Sequence, residues 1–287
     1  MTQLSHRLPE GAYSTLNPTL PHGPPERLRI LSYNIQGGIA TSRYRHYVTR
    51  SWKHFLPDSR RQGNLDRMGS RIFGYDFVGL QEADAGSFRT GFINQVEYLA
   101  YKADFPYWYF QTNRNMGRFA QHSNGILSRY RPIGVDEHRL PGVIPGRGAL
   151  HIRYGSERET LHVVLVHMAL GRRARMQQMD FLAELANAHR HVIVMGDLNC
   201  RSDSPELKRL CRRTDLLEPL HGMHTYPSWQ PRRNIDHILV SSSLVVDEAR
   251  VLDFPLSDHL PIATELVLPP GLREAFAAGA SAPVGTA

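Results

Sequence analysis

Short apolar runs that end in polar residues are the main pattern along this chain. The apolar run 192–195 is followed by Gly196, Asp197, Leu198 and Asn199. Because residues two apart in an extended backbone point to the same side, Asp197 and Asn199 are presented together at the end of a predicted buried strand. Asp, Asn and Gly are also turn residues, so this segment alone does not distinguish a turn from a reaction centre.

The same pattern recurs at five other predicted strands. The polar residues at or next to their ends are Asn34, Glu82, His167, Asp236, and the pair Asp258 and His259. Each has an ordinary structural explanation by itself, such as a turn, a helix cap or a hydrogen-bonded core histidine. Taken together, they supply oxygen ligands for a divalent ion and imidazoles for proton transfer or charge stabilisation. The set therefore indicates a reaction centre more strongly than any one member does.

Periodicity predicts the elements around these strands. Apolar residues recur at helical spacing from Arg172 to Arg190, which predicts a helix with one buried face, and a second helix is predicted to begin near Gly91. The runs 163–166 and 192–195 are apolar on both faces, as expected for strands covered on both sides. The segment 105–110 is predicted to be a buried strand. We expect two sheets packed face to face with helices outside.

Length and composition favour one catalytic domain with loose ends. The chain has 287 residues, and its candidate site residues come from both halves with no linker between them. We predict a flexible N-terminal arm over residues 1–26, a domain over 27–268 and a disordered, Ala-, Gly- and Pro-rich tail over 269–287. The net charge of +7 favours an anionic partner such as nucleic acid or phospholipid.

Other features bear on location. No apolar run approaches the ~18 residues of a membrane span, and the N-terminus has no apolar signal core. Cys200 and Cys211 are too few for a disulfide framework, so we predict free thiols and a cytoplasmic location. Nothing in the sequence indicates an obligate protein partner.

Two basic segments with interleaved aromatic residues are candidates for substrate binding. The first runs from Arg43 to Arg61, and the second, 225–233, carries Trp229, Arg232 and Arg233. Such segments can neutralise phosphates and stack on bases. The first segment equally suits a helix that buries its tyrosines and leaves its arginines in solvent. The second lies directly before Asp236, so its loop is expected to overhang the site.

The polar strand ends resemble those of a known family. The segments are Ser-Tyr-Asn34-Ile, Gly-Leu-Gln-Glu82, Val-His167-Met, Gly-Asp197-Leu-Asn199, Ile-Asp236-His-Ile-Leu and Ser-Asp258-His259-Leu-Pro. In this order they resemble the endonuclease/exonuclease/phosphatase superfamily, which includes pancreatic deoxyribonuclease, exonuclease III, bacterial neutral sphingomyelinases and inositol-polyphosphate 5-phosphatases. The resemblance spans about residues 27 to 268. It implies an α/β fold of the α+β type, a four-layered sandwich of two mainly antiparallel sheets flanked by helices.

The resemblance also implies residue roles. Glu82, Asn34 and Asp258 would hold Mg²⁺, or Mn²⁺ as a substitute. Asp197 would orient or deprotonate the attacking water, and Asn199 would hydrogen-bond the water or the phosphate. The histidines His167 and His259 would stabilise the transition state, with Asp236 paired to one of them, which the sequence does not identify. Asn124 matches a family segment whose polar residue faces the substrate.

Two positions differ from the apurinic endonuclease branch of the family. Gln36 stands where that branch has an acid, and His167 stands where it has a tyrosine. Both differences favour the deoxyribonuclease, sphingomyelinase and phosphatase branches. The leading hypothesis is a divalent-metal-dependent phosphodiesterase acting on nucleic acid, with a phospholipid or a phosphorylated small molecule as the alternative substrate. An inactive scaffold that binds nucleic acid or lipid is the non-enzymatic alternative.

Overall fold

Two six-stranded sheets packed face to face form the centre of the structure, a computed structural model that describes residues 25–38, 59–87, 90, 92–115, 121–142 and 146–281. Its strands are β1 (Arg27–Asn34), β2 (Phe77–Asp84), β3 (Tyr107–Asn115), β4 (Gln121–Ser128), β5 (Gly134–Arg139), β6 (Gly148–Gly155), β7 (Thr160–His167), β8 (His191–Asp197), β9 (Leu216–Leu217), β10 (Asp236–Ser241), β11 (Val245–Val251) and β12 (Ile262–Val267). The first sheet has the order β11-β12-β1-β2-β4-β3, and the second has the order β5-β6-β7-β8-β10-β9.

Helices cover both outer faces of this pair of sheets, and one more packs into the core between the sheets. The first sheet is covered by α1 (Ser59–Ile72) and α2 (Gln95–Lys102), and the second by α3 (Arg172–Asn187) and α4 (Pro205–Arg213), whereas α5 (Pro270–Ser281) contributes side chains to the core between the sheets. Side chains cap two of the helix starts: Asn94 accepts hydrogen bonds from the first turn of α2, and Ser204 does the same for α4. The layered α/β sandwich predicted from the sequence is thereby confirmed.

The predicted helices exist, with shifted ends. Helix α3 starts at Arg172 as predicted and stops three residues before Arg190, and α2 begins at Gln95, four residues after Gly91. Helix α1 was not predicted as such. Most of the basic segment Arg43–Arg61 lies outside the described residues, as does nearly all of the N-terminal arm, so the structure does not choose between the two interpretations of that segment.

The apolar core has three parts that correspond to the interfaces between layers. Residues such as Ile30, Leu165 and Ile238 pack between the two sheets. A second cluster joins the second sheet to α3 and α4, and a third joins the first sheet to α1 and α2. Strands β7 and β8 contribute to both faces of their sheet and lie at its centre, which explains why their sequences are apolar throughout.

The C-terminal tail corrects one prediction. Residues 269–287 were expected to be disordered, but Pro270–Ser281 forms α5. Leu272 and Phe276 are buried in the core between the sheets, and the Phe276 ring lies edge-on to Tyr130 with 5.1 Å between centroids. Burial of these two side chains overrides the weak local signal of an Ala- and Gly-rich segment.

Parallel pairing places the candidate site at one edge of the sandwich. Each sheet contains one parallel pair, β1 with β2 and β7 with β8, and the other pairings are antiparallel. The carboxyl ends of these four strands therefore lie at the same edge of their sheets as the start of β10.

Cys200 and Cys211 are both free, as predicted. None of the described helices is both long enough and apolar enough to cross a bilayer.

Candidate active site

The strand register brings three of the predicted residues into one row. In the second sheet, His167 at the end of β7 is paired with Asp197 at the end of β8, and Asp197 is paired with Asp236 at the start of β10. All three side chains are buried. His167 Nε2 lies 3.5 Å from Asp197 Oδ2. Three neighbouring strands thus deliver one imidazole and two carboxylates to the same place.

Glycine is required where β8 delivers Asp197. Gly196 has a φ of 138°, and a Cβ atom at this position would lie 1.9 Å from the carbonyl oxygen of Val166. Asn199 has a φ of 52°, and its backbone N–H donates to Asp197 Oδ1 at 2.8 Å. Its side-chain amide donates to the Met168 carbonyl at 2.9 Å. The tight turn therefore fixes the orientation of the Asp197 carboxylate.

A bulge in the first sheet presents Glu82 to the same region. The register of β2 against β4 slips between Leu80 and Ala83, so Gln81 and Glu82 together stand opposite Asn124. Glu82 has a φ of 55°, and its side chain remains 30% exposed. The Asn34 amide bridges the two sheets because it lies 3.4 Å from Glu82 Oε1 and 3.2 Å from Asp197 Oδ2.

Asp236 pairs with His259, which answers the question that the sequence left open. His259 Nδ1 lies 2.8 Å from Asp236 Oδ2 and 3.0 Å from Oδ1. The Thr225 hydroxyl donates to the same carboxylate. Because Asp236 holds Nδ1–H, the other ring nitrogen, Nε2, faces Asp197 at 3.9 Å.

Hydrogen bonds within its loop hold Asp258 at the site. The Ser257 hydroxyl donates to Asp258 Oδ1 at 3.2 Å. Ser228 binds the loop from the neighbouring segment 225–233: its N–H donates to the Asp258 carbonyl at 2.7 Å, and its hydroxyl donates to the Ser257 carbonyl at 2.6 Å. The loop that carries Asp258 and the loop before Asp236 are therefore fastened to each other.

The buried charges strongly perturb the pKa values of the site. Burial raises the pKa of Asp197 to about 7. The negative charges of Asp236 and Glu82 also raise this pKa, whereas the positive charge of His259 lowers it. Burial and Glu82 likewise raise the pKa of Asp258 to about 6. Burial would lower the pKa of His259, but Asp236 and the two other aspartates outweigh it and raise that pKa to about 10. The site therefore holds a base poised near neutral pH and an imidazolium beside it.

The donor set fits a hard divalent cation. Four carboxylates converge here with one imidazolium, and their mutual repulsion contributes to the raised pKa values of Asp197 and Asp258. Potential ligand atoms of Asp197, Asp236 and His259 also lie within 4.8 Å of one another. We assign Asp197, Asp236 and His259 to acid–base catalysis, because a protonated His259 is not a metal ligand. Asn34, Glu82 and Asp258 are the oxygen donors that remain.

The predicted substrate-binding residues lie at different depths. Asn124 is buried, and its amide donates to the Gly148 carbonyl at 3.2 Å, so it joins the two sheets behind Glu82. Trp229 is half-buried, whereas Arg232 and Arg233 are exposed on the loop that Ser228 fastens to the Asp258 segment. The loop thus stands beside the site, as expected from its position in the chain.

A supporting network behind the site was not predicted. His237 follows Asp236 on β10 and points to the other face, where Nε2 lies 2.8 Å from the Cys200 carbonyl and Nδ1 lies 2.8 Å from Glu218 Oε1. Glu218 also accepts hydrogen bonds from Ser202 and His221. The network ties the turn after Asp197 to β10. The His237 position was visible in the sequence, but its acidic partner lies 19 residues away on a different segment.

Glu218 gives this network a pH dependence. Burial would raise its pKa, but hydrogen bonds from His237, Ser202 and His221 outweigh burial and lower the pKa to about 2. Because the folded pKa lies below that of the unfolded chain, the stabilisation is complete above the unfolded pKa of about 4.3 and is lost as the pH falls towards 2. We expect Glu218→Gln to lower the free energy of unfolding at pH 7 by about 2 kcal/mol.

Urea denaturation at several pH values measures this effect. The difference in unfolding free energy between wild type and Glu218→Gln is expected to shrink between pH 5 and pH 3. Glu248→Gln, which changes an exposed acid on β11, is the matched control and should show little difference at any pH. If the difference in unfolding free energy between wild type and Glu218→Gln stayed constant down to pH 3, the lowered pKa of Glu218 would be refuted.

Comparisons with known proteins find one family and one fold. The sequence matches the model of the Endonuclease/Exonuclease/phosphatase family over residues 31–259. No curated protein matches the chain significantly. Among solved structures, an endonuclease/exonuclease/phosphatase family protein from Bacteroides thetaiotaomicron is 16% identical with a TM-score of 0.64, covering 86% of this chain and 100% of its own.

Two further solved structures have the same fold. A mannosyl-6-phosphatase from Bacteroides thetaiotaomicron is 16% identical with a TM-score of 0.63, covering 84% of this chain and 100% of its own. The human nocturnin catalytic domain with a bound sulfate anion is 16% identical with a TM-score of 0.62, covering 84% of this chain and 93% of its own. At these identities the likeness establishes the shared fold.

Proposed function

Because the chain belongs to the endonuclease/exonuclease/phosphatase family, whose members hydrolyse phosphoester bonds with a divalent metal, we propose that it is a Mg²⁺-dependent phosphodiesterase acting on nucleic acid. The observation that carries this proposal is the convergence of Asp197, the Asp236–His259 pair and Glu82 at one edge of the two sheets. An inactive scaffold would not need these buried charges, which cost stability to hold together.

Each residue has a role that follows from its surroundings. Asp197, with a pKa near neutral pH, accepts a proton from the attacking water. His259, held by Asp236, places a positive charge beside the phosphate, and His167 lies on the other side of Asp197. Asn34, Glu82 and Asp258 would hold Mg²⁺, with Mn²⁺ as a substitute. When bound, the ion polarises the phosphate and stabilises the negative charge that develops on it.

Positive charge beside the site supports a polyanionic substrate. Arg232 and Arg233 are exposed on the loop that Ser228 fastens to the Asp258 segment, and the whole chain carries a net charge of +7. Phosphates beyond the scissile one can contact these arginines, and Trp229 can stack on a base. Asn199 is proposed to hydrogen-bond the water or the phosphate. Asn124, which the resemblance matches to a substrate-facing position, is buried with its amide on the Gly148 carbonyl, so its proposed contribution is to position Glu82.

Salt dependence of nucleic acid binding tests the loop. We expect wild-type affinity to fall with salt, and Arg232→Ala/Arg233→Ala to lower the log–log slope by roughly 1 to 2, because each lost phosphate contact releases one fewer counterion. Fluorescence anisotropy with labelled single- and double-stranded DNA between low and physiological salt measures the slope. Lys208→Ala/Arg212→Ala removes two exposed charges from α4 and should leave the slope unchanged. An unchanged slope in the loop variant would remove the loop from the binding surface.

Exposed apolar residues favour phospholipid as the second candidate substrate. Phe92 is 63% exposed in the segment after β2, and Leu170 is 76% exposed three residues after His167. Both follow strands that end at the site, where they could enter a lipid surface. Activity on vesicles that rises with anionic lipid and is lost in Trp229→Ala would favour this substrate. A phosphorylated small molecule is the third candidate substrate. This is the substrate type that the name mannosyl-6-phosphatase indicates for one structural neighbour.

A panel of phosphoesters with the purified protein decides among the substrates. DNA, RNA, phospholipid vesicles and phosphorylated sugars are each offered in Mg²⁺ and in Mn²⁺. The proposal predicts cleavage of DNA or RNA well above that of the others. Nucleic acid that stays intact, with an affinity that does not change with salt, would overturn the nuclease assignment and leave the diesterase one. The cytoplasmic location stays a prediction from the sequence.

A further inference from the structure

A cluster of histidines lies on the outer face of the second sheet. His151 is on β6, His162 is on β7 and His189 follows α3, and one ring nitrogen from each lies within 4.8 Å of the other two. His151 Nε2 and His162 Nδ1 are 2.9 Å apart. The rings of His162 and His189 stack with centroids 3.6 Å apart. Three separate segments therefore bring imidazole nitrogens to one place.

This cluster is distinct from the candidate active site. His162 and His167 lie on the same strand five residues apart, which is about 17 Å along an extended backbone. Because their separation is an odd number of residues, their side chains point to opposite faces of the sheet. The proposed phosphodiesterase therefore has no use for the cluster, and its presence needs another explanation.

A fourth histidine next to the cluster carries an unsatisfied polar atom. The ring of His138 on β5 stacks on His151 with 5.8 Å between centroids. Its Nε2 is buried and has no hydrogen-bond partner among the described residues. Since buried polar atoms are nearly always paired, the unpaired imidazole nitrogen beside the cluster points to a polar ligand in this region. Burial, with weaker contributions from neighbouring positive groups, lowers the pKa of His151 to about 3 and of His162 to about 4, so both rings are neutral.

We propose that His151, His162 and His189 bind a divalent transition metal, with Zn²⁺ as the preferred ion. Imidazole suits Zn²⁺, Cu²⁺ and Ni²⁺ and does not suit Mg²⁺, so this site and the oxygen-rich site select different ions. Binding requires the rings to rearrange, because nitrogens at about 2.1 Å from one ion lie roughly 3.4 Å apart. The His151–His162 nitrogens must open from 2.9 Å, and the half-exposed His189 ring must turn out of its stack on His162 so that its nitrogen points at the ion. The hydrogen between His151 and His162 moves to the far nitrogen of its ring, so no proton is lost.

The charges around the cluster are compatible with a cation. Arg153 is paired with His162 across the two strands, and its positive charge would repel a bound cation. Its guanidinium is paired with Asp136 at 3.1 Å, which offsets that charge. A bound ion would join β6, β7 and the connection between α3 and β8. It is therefore expected to stabilise the fold without entering the reaction.

Zn²⁺ titration of the whole protein, in saturating Mg²⁺, tests this site by calorimetry. We expect one tight Zn²⁺ per wild-type chain and an affinity at least about tenfold weaker in His189→Ala, which removes one of three ligands. His189 is half-exposed, so its truncation should leave the fold intact, as circular dichroism can verify. His221→Ala, which removes an exposed histidine outside the cluster, should bind Zn²⁺ like wild type.

Thermal unfolding gives a second readout. Zn²⁺ should raise the Tm of wild type and of His221→Ala, and should raise that of His189→Ala much less, because only a ligand that binds the folded state stabilises it. Equal Zn²⁺ affinity in wild type and His189→Ala would place the ion elsewhere on the protein and overturn the proposal. Absence of stoichiometric Zn²⁺ binding to wild type would overturn it as well, leaving a purely structural histidine cluster.

Discussion

Replacing Asp197 with asparagine is expected to lower kcat by about 10³-fold or more, with little change in KM. The amide has the size of the carboxylate, and its one oxygen can still accept the hydrogen bond from the Asn199 N–H or from Asn34, but it cannot take a proton from water. The loss therefore falls on the transition state and not on substrate binding. The fold should not suffer, because the change removes a buried carboxylate that is held at a raised pKa.

Steady-state kinetics on a phosphodiester, with Tm as a check on folding, measures this loss. Asp180→Asn is the matched control, since Asp180 is a surface acid on α3 that pairs with Arg209 and Arg213. It should retain wild-type kinetics. If Asp197→Asn weakened substrate binding while kcat stayed unchanged, the role assigned to Asp197 would be wrong.

Replacing Glu82 with glutamine is expected to lower activity in Mg²⁺ by more than about 10²-fold. The two side chains have nearly the same size, so the bulge that holds residue 82 at a φ of 55° should persist. The substitution removes one negative charge from the oxygen donors beside Asn34. The Mg²⁺ concentration needed for half-maximal activity should rise, and Mn²⁺, which binds such sites more tightly, should restore part of the activity.

A metal titration of activity in each variant separates this effect from a folding defect. Glu97→Gln, at an exposed position on α2, provides the comparison and should need the same Mg²⁺ concentration as wild type. Near-normal turnover of Glu82→Gln in Mg²⁺ would dismiss Glu82 as a metal ligand.

The sequence predicted the strand ends well because their physical signal is local. An apolar run followed by Asp197 or Glu82 is visible within a few residues, and parallel neighbours must end at the same edge of a sheet. The pairing of Asp236 with His259 could not be predicted, because the two residues are 23 positions apart and either histidine could reach the carboxylate. The register of β8 with β10 and the loop held by Ser228 decide it.

Elements defined by tertiary contacts were harder to predict. Helix α5 has an Ala- and Gly-rich sequence that looks disordered, and only the burial of Leu272 and Phe276 between the sheets explains its order. The histidine cluster was invisible for the same reason, because His151, His162 and His189 meet only after β6, β7 and the end of α3 are packed together. Local pattern identifies residues at strand ends, whereas contacts between distant segments require the folded chain.

Hydrolysis of bis-p-nitrophenyl phosphate by the purified chain tests the central claim most directly, namely that this site is a metal-dependent phosphodiesterase. Turnover is measured in Mg²⁺, after addition of EDTA, and after excess Mg²⁺ is returned, with Asp197→Asn in parallel. The predicted result is turnover that EDTA abolishes, that Mg²⁺ restores and that the variant lacks. Equal turnover with and without EDTA, or equal turnover by wild type and Asp197→Asn, would contradict the claim.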